Sequence, residues 1–296
     1  MVAWSESDIG DLTGKIAVVT GANGGLGMQT TRMLTEHGAK VIMAVRDPAK
    51  AEAARGDLAA DILRLDLADQ SSVAKFAGET AARYDRLDLL INNAGVAMVN
   101  PTPTVDGFEP HLGVNHLGHM ALAVRLLPML VSTKDSRIVT ITSVSHHLAR
   151  LRLDDLNGVT NRYEAYFHSK LANMTFTVEL ARRLAAAGHS TRALASDPGI
   201  ARTMLARTDT SRIMRTTAIV TPYLVPTQSA AHGALPTLRA AVDPDSRGGQ
   251  LYSPRFLVVG PPVRTRPSRR ALDPEAGRRL WELSLDLLRL NEPDVL

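Results

Sequence analysis

The chain has 296 residues, 45% of them hydrophobic and 22% charged, with no cysteine and a formal net charge of +4. That length and apolar content suit one large globular domain, and the missing thiols exclude disulfides, zinc-thiolate sites and thiol nucleophiles, which fits a reducing, cytoplasmic setting. The charge is modest, and the basic run Arg264, Arg266, Arg269 and Arg270 has no interleaved aromatics, which points away from nucleic acid.

Read in order, residues 1–13 carry acids and no signal-peptide core, and are expected to form a short arm. No apolar run approaches the roughly 20 residues of a membrane span. Residues 15–20 are apolar and β-branched and read as a buried strand. The turn Gly21-Ala-Asn-Gly-Gly-Leu-Gly27 follows. A helix over 28–37 ends at Gly38, and a second strand covers 40–45. Strand, glycine turn, helix and strand make a βαβ unit with a phosphate-binding turn, because glycines let a diphosphate approach the N–H groups of a helix N-terminus.

The alternation continues with a helix at 48–58, a strand at 61–66 and a helix at 71–84 capped by Asp69 or Ser71. A strand at 87–91 leads into Asn92-Asn-Ala-Gly95. A helix at 109–130 follows, then a strand at 137–142 with Ser143 at its end, a helix at 163–187 and a strand at 191–196. Residues 200–226 lose any firm period and are expected to cover a pocket. A helix at 227–241, a strand at 249–253 and a loop at 255–268 come next. The last helix, 273–290, has Asp273 as cap and Pro274 at its first position. Its apolar face is read as Leu280, Leu283, Leu287 and Leu288. The sum is an α/β fold with a doubly wound parallel sheet of seven strands. Ligands of such sheets bind beyond the carboxyl ends of the strands, where Gly21, Asp66, Asn92, Ser143 and Pro198 fall.

Tyr166 and Lys170 are four apart on one helix face. A cation near a phenol favours the phenolate, so the pair forms a tunable proton donor and acceptor for an alcohol or carbonyl oxygen. His146, His147 and His168 lack the spacing of a metal site, and no metal is expected.

These landmarks resemble the short-chain dehydrogenase/reductase family, and over nearly the whole chain. They are Thr20-Gly21-x3-Gly25-x-Gly27, Asp66-Leu67, Asn92-Asn-Ala-Gly95, Asn115, Ser143, Tyr166-x3-Lys170 and Pro198-Gly199. Thr142-Ser-Val-Ser-His-His147, His168-Ser-Lys-Leu-Ala-Asn173, Glu179-Leu-Ala-Arg-Arg183 and Arg279-Leu-Trp-Glu-Leu283 are similar to its retinol-dehydrogenase-like branch. The resemblance implies a single Rossmann domain over 14–296. It implies Tyr166 as general acid and base, with Lys170 lowering its pKa and holding the nicotinamide ribose. Ser143 would bind the substrate oxygen, and Asn115 a water linking Lys170 to solvent. Gly21, Asn23, Gly25, Leu26 and Gly27 would cradle the diphosphate. Asp66 and Leu67 would meet the adenine, Asn93 and Gly95 the adenosine side, and Pro198, Gly199, Ile200 and Thr203 the carboxamide.

Cofactor choice rests on Ala44-Val-Arg-Asp47. An acid at the end of the second strand favours NAD, and a nearby arginine accommodates the NADP phosphate. Val45 stands where the family places the acid and Arg46 follows, so NADP(H) is expected over NAD(H). The implied reaction interconverts a small-molecule alcohol and carbonyl, the substrate being hydrophobic, in a homodimer or homotetramer. Asp197 stands where relatives often carry histidine. The competing readings are a catalytically silent NAD(P)-binding regulator or scaffold of the same fold and, less favoured, a sugar epimerase or dehydratase of the extended relatives.

Overall fold

A computed structural model of the protein describes residues 3–201 and 226–296. The strands are β1 (Ile16–Thr20), β2 (Lys40–Val45), β3 (Ala60–Arg64), β4 (Leu89–Asn92), β5 (Arg137–Ile141), β6 (Arg192–Ser196), β7 (Leu251–Pro254) and β8 (Pro262–Thr265). They form one sheet in the order β3-β2-β1-β4-β5-β6-β7-β8. All neighbours are parallel except β7 and β8. The chain winds outward from β1 to β3, then returns to place β4 on the other side of β1. The ends of β1 and β4 are therefore the switch point, where a crevice opens above the sheet.

The helices are α1 (Gly25–Glu36), α2 (Pro48–Arg55), α3 (Gln70–Arg83), α4 (Gly118–Ser132), α5 (Arg162–Ala186), α6 (Ala230–Val242) and α7 (Pro274–Leu288). Val18, Leu90 and Ile138 face one layer with Phe76 of α3, Leu122 of α4, Phe176 of α5 and Trp281 of α7. Their neighbours Val19, Ile91 and Val139 face the other layer, with Leu34 of α1 and Leu238 of α6. Period-two alternation on strands covered on both sides explains why each strand reads as continuously apolar.

Several expectations need correction. Residues 262–265 lie in the predicted loop but pair antiparallel with β7, from Leu251↔Thr265 to Pro254↔Pro262, which gives eight strands and not seven. β8 is an edge strand, where proline is tolerated because one row of N–H groups needs no partner. Helix α1 starts at Gly25 and not at residue 28, so Gly25, Leu26 and Gly27 form its first turn. On α7 the buried face is Gly277, Leu280, Trp281, Ser284, Leu285 and Leu288, with Leu283 and Leu287 at its margin. Trp281 turns this face, stacking on Phe176 at 5.9 Å and donating its indole N–H to Glu292 at 2.7 Å.

Before α4 comes a π-helical turn, Leu112–Leu117, which periodicity alone does not reveal. Together Leu112–Ser132 is a helix of 21 residues, long and apolar enough by composition to cross a membrane. That corrects the reading that no such segment exists. Here the helix is a core element, 67% of that stretch being buried inside the protein. Most of the expected pocket cover, 200–226, lies outside the described residues, as does Thr203.

Candidate active site

Helix α5 presents the central pair. Asn161 caps it by accepting the N–H groups of Tyr163 at 3.0 Å and Glu164 at 3.2 Å. The Thr142 hydroxyl, just past β5, donates to the Lys170 carbonyl at 2.8 Å. Lys170 Nζ and Asn173 Nδ2 both donate to the Ile141 carbonyl, at 3.3 and 3.1 Å. Helix and strand end are thus tied at the level where chemistry is expected. Lys170 is buried, and Tyr166 retains partial exposure. The Lys170 ammonium lies 5.7 Å from the centre of the Tyr166 ring.

Burial pushes the Tyr166 phenol up to about 12; a hydrogen bond with Ser143 opposes this and the Asp197 charge adds to it. Burial pulls Lys170 down to about 8, against the attraction of Asp197. This reverses the expected direction for the phenol. Withdrawal from water is the largest cause and sets the net direction.

Ser143 sits where β5 gives way to a 3-10 turn, Val144–His147, and its Oγ accepts the Ser145 N–H at 3.3 Å. His146 Nδ1 lies 2.6 Å from the Ser143 carbonyl. A carbonyl can only accept, so Nδ1 carries the hydrogen and Nε2 accepts the Ser268 N–H at 3.3 Å. Burial holds His146 neutral, at about 4. Arg270 of the basic run also staples this segment, donating to the His147 and Ala149 carbonyls at 3.3 and 2.9 Å.

Asn115 lies in the π turn, a distortion that recurs at functional sites. Its Oδ1 accepts the Val96 N–H at 2.8 Å, and its Nδ2 donates to the Val96 carbonyl and to Ser169 Oγ at 3.0 Å each. Ser169 Oγ in turn donates to the Tyr166 carbonyl at 2.8 Å. A Cβ on Gly95 would lie 3.1 Å from Asn115 Oδ1 and 3.8 Å from Lys170 Nζ. Asn92-Asn-Ala-Gly95, Asn115, Tyr166 and Lys170 thus share one place, with Ser143 joined through Tyr166.

The glycine turn is built for close approach. Gly21 and Gly25 have φ of 64° and 53°, which favours glycine. A Cβ on Gly27 would lie 2.4 Å from the Gly21 carbonyl oxygen. Asn93 Nδ2 donates to the Thr20 carbonyl at 2.7 Å, holding the turn against β4. Side chains cap α2, α3, α5, α6 and α7. α1 begins at Gly24 with no side-chain cap. Its first N–H groups point into the crevice without a built-in acceptor, so the residues fit a dinucleotide diphosphate. Leu26 leans on α6 at Gly233, and Asn23 is exposed.

The remaining cofactor candidates are spread along the crevice. Asp66 Oδ1 accepts the Ala68 N–H at 3.0 Å, and Leu67 is buried against Gly118. Arg46 is exposed beyond buried Val45. Asp47 caps α2, accepting the Lys50 N–H at 3.2 Å and pairing with its ammonium at 3.2 Å. Gly199, at φ 62°, packs where a Cβ would lie 2.3 Å from the Val258 carbonyl oxygen. Gln228 Nε2 donates to the Pro198 carbonyl at 2.8 Å, and the Ile200 N–H to Val258 at 3.0 Å. Among the described residues no group of three or more histidine and acidic side chains could hold a metal.

Four further residues take on contacts here that the sequence does not assign them. Asn173 shares the Ile141 carbonyl with Lys170; its place three residues on, on the same helix face, is the available signal. Asp197 is buried beside the pair. His119 Nδ1 donates to the Asn115 carbonyl at 3.0 Å, so its Nε2 accepts the Thr20 hydroxyl at 2.9 Å. Thr20 Oγ1 in turn accepts the Asn93 and Ala94 N–H groups at 2.9 Å. His119 and Thr20 thereby join β1, β4 and the π turn.

The sequence profile described as short chain dehydrogenase matches residues 15–213. Human retinol dehydrogenase 12 is 39% identical over 287 residues, covering 94% of this chain and 87% of that protein. Human retinol dehydrogenase 13 is 37% identical over 296 residues, covering 96% and 87%. A crystal structure of an uncharacterized protein from Mycobacterium paratuberculosis superposes with a TM-score of 0.83 at 41% identity, covering 99% of this chain and 100% of that one. A Beutenbergia cavernae protein assigned as an NAD(P)-dependent gluconate 5-dehydrogenase, solved with bound NADP at low occupancy, gives 0.65 at 27% identity over 82% and 96%. With the sheet order, the glycine turn and the tyrosine–lysine pair, these likenesses show that the chain belongs to the short-chain dehydrogenase family, in its retinol-dehydrogenase-like branch.

Proposed function

We propose that the protein is an NADP(H)-dependent oxidoreductase that interconverts a hydrophobic alcohol and its carbonyl, with Tyr166 as general acid in reduction and base in oxidation. Family membership carries the oxidoreductase class and the alcohol/carbonyl couple. The observation that carries the rest is the meeting of Tyr166, Lys170, Ser143 and Asn115 beside an uncapped, glycine-lined helix start.

A bound nicotinamide supplies the hydride. The glycine turn would hold the diphosphate, Asp66, Leu67, Asn93 and Gly95 the adenosine side, and Pro198, Gly199 and Ile200 with Thr203 the carboxamide. Ser143 would donate to the substrate oxygen and stabilise charge as it develops. Tyr166 would give that oxygen its proton; raised to about 12, the phenol stays protonated at neutral pH, the form reduction needs. Lys170 would hold the ribose hydroxyls through its ammonium.

Three observations support NADP(H). Arg46 is exposed at the end of β2, where a guanidinium can grip a phosphate. Asp47, the nearest acid, already caps α2 and pairs with Lys50, so it is committed elsewhere. A structural relative bound NADP. An apolar substrate is supported by the relatives named as retinol dehydrogenases and by exposed Leu148, Tyr163, Phe256 and Leu257. In sequence they lie close to Ser143, Tyr166 and Val258, the contact of Gly199. The test is a screen of purified protein against aldehydes and ketones of graded chain length, following loss of NADPH absorbance. Turnover rising with apolar length supports the reading, and no turnover of any carbonyl or alcohol with either cofactor refutes it.

A further inference from the structure

Asp197 has no part in the chemistry above, yet it follows Ser196, the register partner of Ile141, whose carbonyl takes the hydrogen bond of Lys170 Nζ. It is buried just past β6, and its Oδ1 accepts the Gly199 N–H at 2.9 Å. Its own N–H donates to the Tyr252 carbonyl at 2.8 Å, which fixes the backbone to β7. The Val144 N–H, next to Ser143, also favours the charged carboxylate. The turn cannot swing away, because Gln228 Nε2 holds the Pro198 carbonyl and Gln228 Oε1 accepts the Gly260 N–H at 3.2 Å.

Within the described residues Asp197 is the acid that acts on both Tyr166 and Lys170. Among the described residues, the segment that enters the π turn brings His111, whose ring meets that of Tyr166 edge-on at 6.2 Å and whose Nδ1 pairs with Glu109 at 2.6 Å, so that the pair is closed on itself. On β7 the Tyr252 hydroxyl donates to Asp243 at 3.3 Å, and Asp243 pairs with Arg239 of α6 at 3.1 Å. After β5, His146 is neutral and donates to the Ser143 carbonyl. Lys170 Nζ has the Ile141 carbonyl at 3.3 Å, a poor return for a buried ammonium. A carboxylate nearby offsets that cost.

We propose that Asp197 is a positioning residue that keeps the α5 pair loaded with its protons, ammonium beside phenol, and so biases the site toward carbonyl reduction. A negative charge resists formation of a second one on Tyr166 and favours the positive one on Lys170. Reduction would need the protonated phenol, whose proton would go to the carbonyl oxygen and leave phenolate behind, a bound reduced nicotinamide supplying the hydride to the carbon. Oxidation needs the phenolate and is held to higher pH. Burial pushes the Asp197 carboxyl up to about 6, so the bias is present at neutral pH and fades in acid. The directional part rests on the proposed reaction; the electrostatic part does not.

The test is an NMR titration of ring-labelled tyrosine in the cofactor-free protein, with the Tyr166 signal assigned by Tyr166→Phe. Asp197→Asn and Asp197→Ser are compared with the wild type. Serine keeps an acceptor for the Gly199 N–H, so whichever variant folds decides. Tyr166 is expected to titrate about one pH unit lower in the neutral variants, and the pH limb of alcohol oxidation to move down with it. An unchanged Tyr166 titration in a folded variant overturns the proposal. A failure to find any substrate would refute the reaction alone, since the titration uses none.

Discussion

The Lys170 ammonium lies over the ring of Tyr166, 5.7 Å from its centre, and both side chains leave one face of α5. Spacing of four residues brings them together, but it does not aim the cation at the hydroxyl. Both groups are drawn from water, and each is pushed toward its neutral form: the phenol up to about 12 and the ammonium down to about 8. At neutral pH both groups still carry their protons, Lys170 with the smaller margin.

The ammonium sets an alkaline limit. Its folded value, about 8, is below the ordinary 10.5, so Lys170 is charged below about pH 8 and neutral above it. Because kcat/KM reports the free enzyme, kcat/KM for NADPH should fall as pH rises through about 8. Lys170→Met should be weak throughout and lack that limb. A profile flat to pH 10 in the wild type would contradict this.

Arg46 should decide between cofactors. Removing a guanidinium that grips a phosphate costs about 1.4 kcal/mol or more, or about tenfold in Kd. Arg46→Ala should weaken NADPH by that factor and leave NADH within about twofold. Calorimetric titration of both cofactors reads it, and equal losses would remove Arg46 from the site.

Gly27 should not tolerate a methyl group. A Cβ there would lie 2.4 Å from the Gly21 carbonyl oxygen and 2.6 Å from Asn93 Nδ2. Gly27→Ala should cost about 1–3 kcal/mol of stability, lower Tm by about 5 °C, and weaken NADPH by opening the turn. An unchanged Tm and Kd would show that the turn yields freely.

Buried histidines make the fold acid-sensitive. Burial lowers His119, His146 and His168 from 6.5 to about 4 and His116 to about 3. In the unfolded chain they take up protons below 6.5, whereas in the fold they do not, so stability present above pH 6.5 is lost as pH falls toward 4. Asp197 acts oppositely, from about 6 down to 3.8, but is one group against several. Tm should drop by about 5 °C or more between pH 7 and 5. A Tm that holds or rises over that interval would contradict the neutral assignment.

The parallel sheet and its alternation with helices were legible because strands covered on both faces are written as short β-branched runs with glycine and capping residues between them. β8 was not, since Pro262 in a proline-rich loop speaks against a strand and only its edge position makes it tolerable. The π turn at Asn115 has no periodic signature. Tyr166, Lys170 and Ser143 were legible from type and spacing. The net upward direction of the Tyr166 shift was not, because it is set by burial, which the spacing of two residues does not reveal. Asp197 reads as an acid where relatives often carry histidine, without its hydrogen-bond partners, and His119 reads as one more polar residue on a helix. Their roles exist only once β1, β4, β5 and β6 end at one level.

The central claim is that the Tyr166 hydroxyl carries the proton. Single-turnover loss of NADPH absorbance with a saturating carbonyl substrate, wild type against Tyr166→Phe, reads this most directly. The account predicts a rate lower by at least about 100-fold in the phenylalanine variant, with NADPH affinity and Tm preserved. A variant that turns over at the wild-type rate would contradict it.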